Sequence, residues 1–329
     1  MFEMSGALTR AGATPRASGK GDAELTRQVL RGLAARPKRL SPTYLYDAHG
    51  SALFELICRQ PEYYLTRTEL AIMRCHGAEI AERIGSRALL LELGSGASLK
   101  TRILLDRLPD LAAYVPVDIS RSSLLAAARA IRESYPRLEV LPVEADFTRP
   151  FALPEPHAEA ARTIVYFPGS TIGNFDADPA VELLALARRL AGPRGALLIG
   201  IDLLKDRELL LRAYDDAAGV TAAFNLNILA RLNRELGADF DPRGFRHAAP
   251  WNAAASRIEM NLVSLVSQSV NLAGERIDFE AGEVIVTEHC HKYTQESFAA
   301  LAGRAGWTPR GSWSDERGYF SVQYLEAHG

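Results

Sequence analysis

The segment Leu89-Leu-Leu-Glu92-Leu-Gly94-Ser-Gly96-Ala-Ser-Leu-Lys100 constrains the fold more than any other stretch of the chain. Three leucines run into an acid and a glycine pair. Residues 101–108 then repeat apolar side chains at helical spacing, so the segment predicts a strand, a tight turn and a helix. A doubly wound α/β sheet begins a nucleotide site in this way. Gly94 and Gly96 carry no Cβ, which lets the backbone turn sharply and approach a ligand closely. The third glycine of the dinucleotide fingerprint is missing, so the turn by itself is equally an ordinary βα connection.

Two further runs bear on that choice. Tyr114-Val-Pro-Val-Asp118 is a short apolar run ending in an acid, and Asp118 lies 24 residues beyond Gly94. An acid at about that distance, at the carboxyl end of the second strand, can accept hydrogen bonds from both ribose hydroxyls. The run from Leu138 ends in Asp146-Phe147, where an acid can take an adenine amino proton and a ring can pack near the base. Acids at three successive strand ends, with no Walker lysine loop, favour an adenosine ligand without phosphates. S-adenosyl-L-methionine meets that description.

The chain has 329 residues, 47% apolar and 24% charged, enough for one large domain or two packed lobes. Its formal net charge of −2 offers no basic field for nucleic acid or an anionic membrane. The apolar runs fall short of the roughly 18 residues that span a bilayer. Residues 1–22 are rich in Gly, Ala, Ser and Arg without an apolar core, which predicts a disordered tail rather than a secretory signal. Cys58, Cys75 and Cys290 are odd in number and widely spaced, which points to reduced thiols and a cytoplasmic protein.

In chain order, Asp22 is a candidate cap for an amphipathic helix over 23–35, Pro37 ends it, and a short helix follows over 50–58. Thr66 is a candidate cap for a long helix over 67–84. Strands near 88–93, 113–118 and 138–143 alternate with helices near 99–108 and 120–134, the pattern of a parallel sheet with right-handed crossovers. Residues 163–168 make a fourth strand, 178–190 a helix and 195–202 a fifth strand. From 205 to 236 the chain reads as almost entirely helical, and 257–270 and 284–287 as strands of another sheet, hence an inserted lobe. A helix near 295–305 and strands near 307–314 and 319–325 close the first sheet.

Together these strings resemble the ergothioneine-pathway histidine Nα-methyltransferase family. The resemblance is carried by Tyr46-Asp-Ala-His-Gly-Ser51, Pro61-Glu-Tyr-Tyr64-Leu-Thr-Arg-Thr-Glu69, Glu92-Leu-Gly-Ser-Gly96, Phe167-Pro-Gly-Ser-Thr-Ile-Gly-Asn174, the run from Ala213 to Thr221, that from Asn233 to Phe240, and Arg257-Ile-Glu-Met260. It implies a class I, Rossmann-like methyltransferase sheet with an inserted substrate-binding lobe, in which 23–68 and 205–292 form the lobe and 69–204 with 293–329 the donor domain. It also implies trimethylation of L-histidine, with S-adenosyl-L-homocysteine as the other product. Gly94, Lys100, Asp118, Asp146 and Phe147 fall at the methyl donor, where the residues alone had already placed all but Lys100. Tyr64, Gly169, Asn174 and Tyr214 are implied around the amino acid's α-amino and carboxylate groups. Phenol and amide donors suit a carboxylate held without pulling a proton onto the nucleophile.

Selection of the acceptor's side chain falls on Thr287-Glu288-His289-Cys290-His291. In an extended segment Glu288 and Cys290 share one face, and His289 and His291 the other. The family has a glutamate at 288 that can pair with an imidazole N–H, and usually serine where this chain has Cys290. Met260 reads as pocket wall or core. The His-Cys-His string does not read as a zinc site, because alternation separates the cysteine from the histidines and no second ligand pair exists. Nα-methylation of another amino acid, or donor binding without catalysis, are the competing readings. No macromolecular partner or oligomer is required by either.

Overall fold

The computed structural model describes residues 20–96 and 99–327. Its centre is a seven-stranded sheet: β1 (Ala88–Leu93), β2 (Ala113–Asp118), β3 (Val143–Glu144), β4 (Arg162–Phe167), β5 (Ala196–Asp202), β6 (Trp307–Ser314) and β7 (Phe320–Ala327). In space the order is 3-2-1-4-5-7-6, with the first five strands parallel and β7 antiparallel to both β5 and β6. The sheet reverses direction between β1 and β4, which opens a crevice at the carboxyl ends of those strands.

Period-two alternation divides the core. Leu89, Leu91 and Leu93 of β1 face helices Ala177–Ala191 and Gln295–Arg304, whereas Ala88 and Leu90 face the long helix Tyr64–Ile84 and helix Arg121–Ser134. Both faces of the sheet are therefore covered, as parallel strands require.

Between β5 and β6 the chain builds a second sheet. Strand Val284–His291 lies between Lys38–Arg39, parallel to it, and Arg257–Ser264, antiparallel to it; Phe245–Ala248 pairs with the far side of Arg257–Ser264. Helix Val220–Leu236 packs on this sheet and carries helix Ala48–Ile57 on its other side. Residues near the amino terminus contribute a strand to this second sheet.

Several boundaries differ from those read in the sequence. The proposed tail lies outside the described residues up to position 19, and the first helix begins at Lys20, so Asp22 sits inside its first turn and is no cap. The long helix begins at Tyr64, not after Thr66, because Tyr64 and Leu65 are buried in the core and packing outweighs the missing cap. A division at residue 68 therefore falls within one continuous helix. The third strand shrinks to Val143–Glu144 with one bridge at Val140, since Pro142 has no N–H to donate. Helix 205–236 is broken into Arg207–Tyr214 and Val220–Leu236, where Asp216 accepts from the amides of Val220 and Thr221 at 2.9 and 2.7 Å. The strand expected over 257–270 stops at Ser264, and a hairpin of Gln268–Leu272 and Glu275–Phe279 follows.

Gly200 in β5 has a packing role. A Cβ there would collide with the Glu69 carboxylate and lie 2.9 Å from the Phe320 ring. Gly200→Ala should lower stability by about 1–3 kcal/mol through overpacking, read as a lower urea midpoint with an unchanged slope.

Candidate active site

The crevice has a donor end built on β1 and β2. Gly94 and Gly96 adopt φ of +71° and +46°, a region that strains any residue with a Cβ. A Cβ on Gly94 would also come within 3.5 Å of the Phe147 ring, so the glycine keeps the space beside that ring open. Asp118, the last residue of β2, accepts from the Ser120 amide at 2.8 Å and more weakly from the Gly96 amide at 3.4 Å. Asp146 is held by the amide and hydroxyl of Thr148 at 2.9 and 2.6 Å. Phe147 packs edge-on against Phe167 of β4. The carboxylates of Asp118 and Asp146 are thus oriented through one oxygen each by short local bonds, beside a ring and a turn free of side chains.

Lys100 points from the first turn of helix Leu99–Leu105 towards the β4 loop, where its ammonium pairs with Glu69 of the long helix. Glu69 is 1% exposed and also accepts the Gly169 amide with both oxygens at 3.0 Å. Gly169, at φ +82°, therefore has its N–H occupied by Glu69. Behind the turn, Glu92 is buried and accepts from Thr101 and Tyr114, yet burial still pushes its carboxyl up to about 7.

The acceptor end is formed where the second sheet meets the β4 loop. Strand Val284–His291 carries an extra residue at Thr287, since Val286 pairs with Asn261 and Glu288 with Met260. Thr287 turns its hydroxyl to Asn225 at 2.6 Å and to the Met260 carbonyl at 2.9 Å. Such a bulge re-aims the side chains that follow it. Glu288 and Cys290 then project together, with the thiol 3.5 Å from the carboxylate, and Asn174 donates an amide N–H to Glu288 at 2.9 Å. Burial holds the Glu288 carboxyl at about 7, offset only in part by Cys290 and the charge of Lys292. Met260 is 2% exposed and forms part of the wall.

Three aromatic hydroxyls share this pocket. Tyr63 lies 6.2 Å from both Phe54 and Tyr214, and Tyr46 stacks edge-on with Phe54. Burial raises the phenols of Tyr46, Tyr63 and Tyr214 well above their ordinary value, and the charges of Glu288 or Cys290 add to it. All three stay protonated donors. Tyr64 is placed differently: its hydroxyl donates to both oxygens of Asp202 at 2.9 Å and accepts from Lys205 at 2.7 Å, and its ring packs on Tyr319. The structure thus brings Tyr63 to the pocket and uses Tyr64 as a brace beneath it. Tyr46, Tyr63, Glu69, Asp202, Lys205 and Lys292 were all missed as candidates. The Tyr-Tyr pair and the aromatic connector at 41–46 were visible, but adjacent helical residues point about 100° apart and sequence does not say which faces inward.

On the opposite face of the same strand, His289 and His291 both meet the carboxylate of Asp176, at 3.0 and 3.2 Å. The third member of that grouping is a carboxylate from before helix Ala177–Ala191, not Cys290. The same oxygen accepts from Arg257 at 2.6 Å, so a guanidinium cation already stands against it.

A glycine turn, two acids at successive strand ends and an aromatic platform, beside a buried cluster of polar and aromatic side chains, mark an S-adenosylmethionine-dependent methyltransferase of the doubly wound class. The profile described as "Histidine-specific methyltransferase, SAM-dependent" matches residues 25–327, and the chain belongs to that family. A histidine N-alpha-methyltransferase of Mycolicibacterium smegmatis is 45% identical over 303 residues, covering 91% of this chain and 93% of its own. One from Mycobacterium tuberculosis is 42% identical, covering 92% and 94%. Ergothioneine biosynthesis protein 1 of Neurospora crassa is 29% identical, covering 84% of this chain and 32% of its own length. No helix among the described residues is long and apolar enough to cross a membrane.

A raised carboxyl pKa has a thermodynamic sign. Between 4.5 and about 7 the folded protein holds a proton on Glu288 that the unfolded chain has released, so this group's contribution to stability declines as pH rises through that window. Glu288→Gln, which carries no charge to bury, should stabilise the ligand-free protein at pH 8 by about 1–3 kcal/mol and should change little at pH 4, measured by urea unfolding at both pH values.

Proposed function

We propose that this protein transfers methyl groups from S-adenosyl-L-methionine to the α-amine of L-histidine, up to the trimethyl betaine hercynine, in ergothioneine biosynthesis. The observation that carries the reading is Glu288. It is a carboxylate buried at a pocket wall, short of partners, held in place by Asn174, and set where an imidazole N–H would relieve its burial. An apolar side chain would leave that cost standing.

On this reading Gly94 and Gly96 admit the donor's backbone-hugging portion, Asp118 takes the ribose hydroxyls, and Asp146 with Phe147 takes the adenine. Lys100 leaves Glu69 in part for the donor's own carboxylate. The segments 23–63 and 205–292 form the acceptor lobe. The acceptor's carboxylate is held by Tyr214 and by the second amide N–H of Asn174, while its amine meets Tyr63 and the Gly169 carbonyl. Methyl transfer is an in-line displacement, so the protein's main contribution is alignment of amine, methyl carbon and sulfur. The rings of Tyr46, Tyr63 and Phe54 suit the ammonium that builds up through successive methylations. Three unpaired cysteines support a reducing, cytoplasmic setting.

Three outcomes test this. A mass-spectrometric screen of the twenty amino acids should show gains of one to three methyl groups on histidine, and histamine, which lacks the carboxylate, should be a poor substrate; turnover of an apolar amino acid in preference to histidine would replace the substrate while keeping the methyltransferase. Cys290→Ser should preserve or raise histidine turnover, because a hydroxyl donates and accepts better than a thiol in the same space; its abolition would remove the imidazole from that wall. Asp118→Ala should weaken donor binding by about 1.5–3 kcal/mol in calorimetric titration, and unchanged affinity in the folded variant would take Asp118 out of the site.

The histidine KM should also depend on pH. Glu288 binds the imidazole as a carboxylate and takes a proton near 7 in the empty pocket, so KM should climb as pH falls below about 7. Glu288→Gln should flatten that limb, and a limb that persists unchanged in the variant belongs to another group.

A further inference from the structure

Lys292 lies two residues beyond Cys290, just past the end of the strand that carries Glu288, and its side chain is 1% exposed. Its ammonium donates to the Tyr214 hydroxyl at 2.7 Å and to Asp202 at 2.8 Å. The same Nζ stands 4.5 Å from the centre of the Tyr214 ring. An ammonium can only donate, whereas a phenol has one proton and an acceptor side. Towards Lys292, then, Tyr214 must accept, and its own proton is turned away from that contact.

The Tyr214 hydroxyl also acts as a donor towards the Cys290 thiol, and sulfur is a weak acceptor for the phenol proton. A carboxylate arriving there gains a short bond and displaces little.

From this geometry we infer that Lys292 is a positioning residue: it fills the acceptor side of the Tyr214 oxygen and presents the phenol proton to the carboxylate of the substrate. This rests on the reading of Tyr214 as a carboxylate donor given under the proposed function. Lys292 itself is enclosed by Asp202 and Tyr214 and acts through the tyrosine. Asp202 holds the lysine from below, its own backbone amide fixed by the Ser170 hydroxyl at 2.8 Å. The inference adds discrimination to the pocket. A hydroxyl locked as a donor favours an anion and leaves an amide or alcohol at that point less well served.

The test compares histidine with histamine in the full-length enzyme. Lys292→Met should raise the histidine KM by about 10-fold or more, as for loss of an oriented bond to a charged group. It should leave the affinity for S-adenosylmethionine within about 2-fold and leave histamine turnover unchanged, because histamine has no carboxylate to lose. Lys292→Arg should restore part of the loss. Added to Tyr214→Phe, Lys292→Met should cost nothing further. A structural role would lower histidine and histamine turnover together, or cost as much with Tyr214→Phe as without it, and either result overturns the inference. If Lys292→Met does not fold, Lys292→Arg decides in the same comparison. There, a raised histidine KM with unchanged histamine turnover supports positioning, and an equal loss on both, or none on either, refutes it. Should Tyr214→Phe itself leave the histidine KM unchanged, the carboxylate reading of Tyr214 falls first; a loss with Tyr214→Phe beside silent Lys292 variants defeats the inference alone.

Discussion

The two sheets are joined at Asp202. The chain leaves the central sheet after this residue and returns at Tyr293, and the two passages lie side by side. Tyr293 donates its amide to the Asp202 carbonyl at 3.0 Å, and Leu204 donates to the Tyr293 carbonyl at 2.7 Å. The Asp202 side chain, fully buried at the end of β5, then accepts from Tyr64, Lys205 and Lys292. Three segments far apart in sequence, around Tyr64, Asp202–Lys205 and Lys292, meet on one carboxylate. Removing one member of such a buried cluster leaves charge without a partner, at a cost of about 3–5 kcal/mol. Burial and the neighbouring Lys292 already draw the Lys205 ammonium down to about 8, despite Asp202. The two sheets thus meet at a buried cluster of charges around Asp202.

Glu69 plays the corresponding part between the two ends of the crevice. It sits under Gly200, which makes room for it, and receives Lys100 from the donor side and the Gly169 amide from the acceptor side. Glu69, on the long helix, thus ties Lys100 to the loop that ends in Asn174 through one buried acid. Rigid placement of this kind is what an in-line displacement needs, because the reacting atoms must be held in line within a few tenths of an ångström.

The sheet was legible because its strands are short apolar runs closed by acids, and burial on both faces demands such runs. The turn at Gly94 and the placement of Asp118 and Asp146 at or just past strand ends were legible for a related reason: turn chemistry and strand ends are local. What was not legible is what depends on contacts across the chain. Thr66 has the right chemistry for a cap, but the burial of Tyr64 and Leu65 moved the helix start past it. Tyr63 and Tyr64 are chemically identical, and only the placement of the helix against β5 decides that Tyr64 braces Asp202 while Tyr63 reaches the pocket. Nothing local announces that Lys205 and Lys292, 87 residues apart in the chain, will be buried on one carboxylate. The pairing of His289 and His291 with Asp176 is hidden for the same reason. The alternation that sets Glu288 and Cys290 on one face was readable; the bulge at Thr287 that aims that face was not.

That bulge sets Glu288 and Cys290 side by side on one wall. The thiol, 3.5 Å away and a poor donor, leaves one oxygen of the carboxylate underused, while Asn174 ties the other in place. Burial then raises the carboxyl's proton affinity until its pKa stands at about 7, close to that of an imidazole.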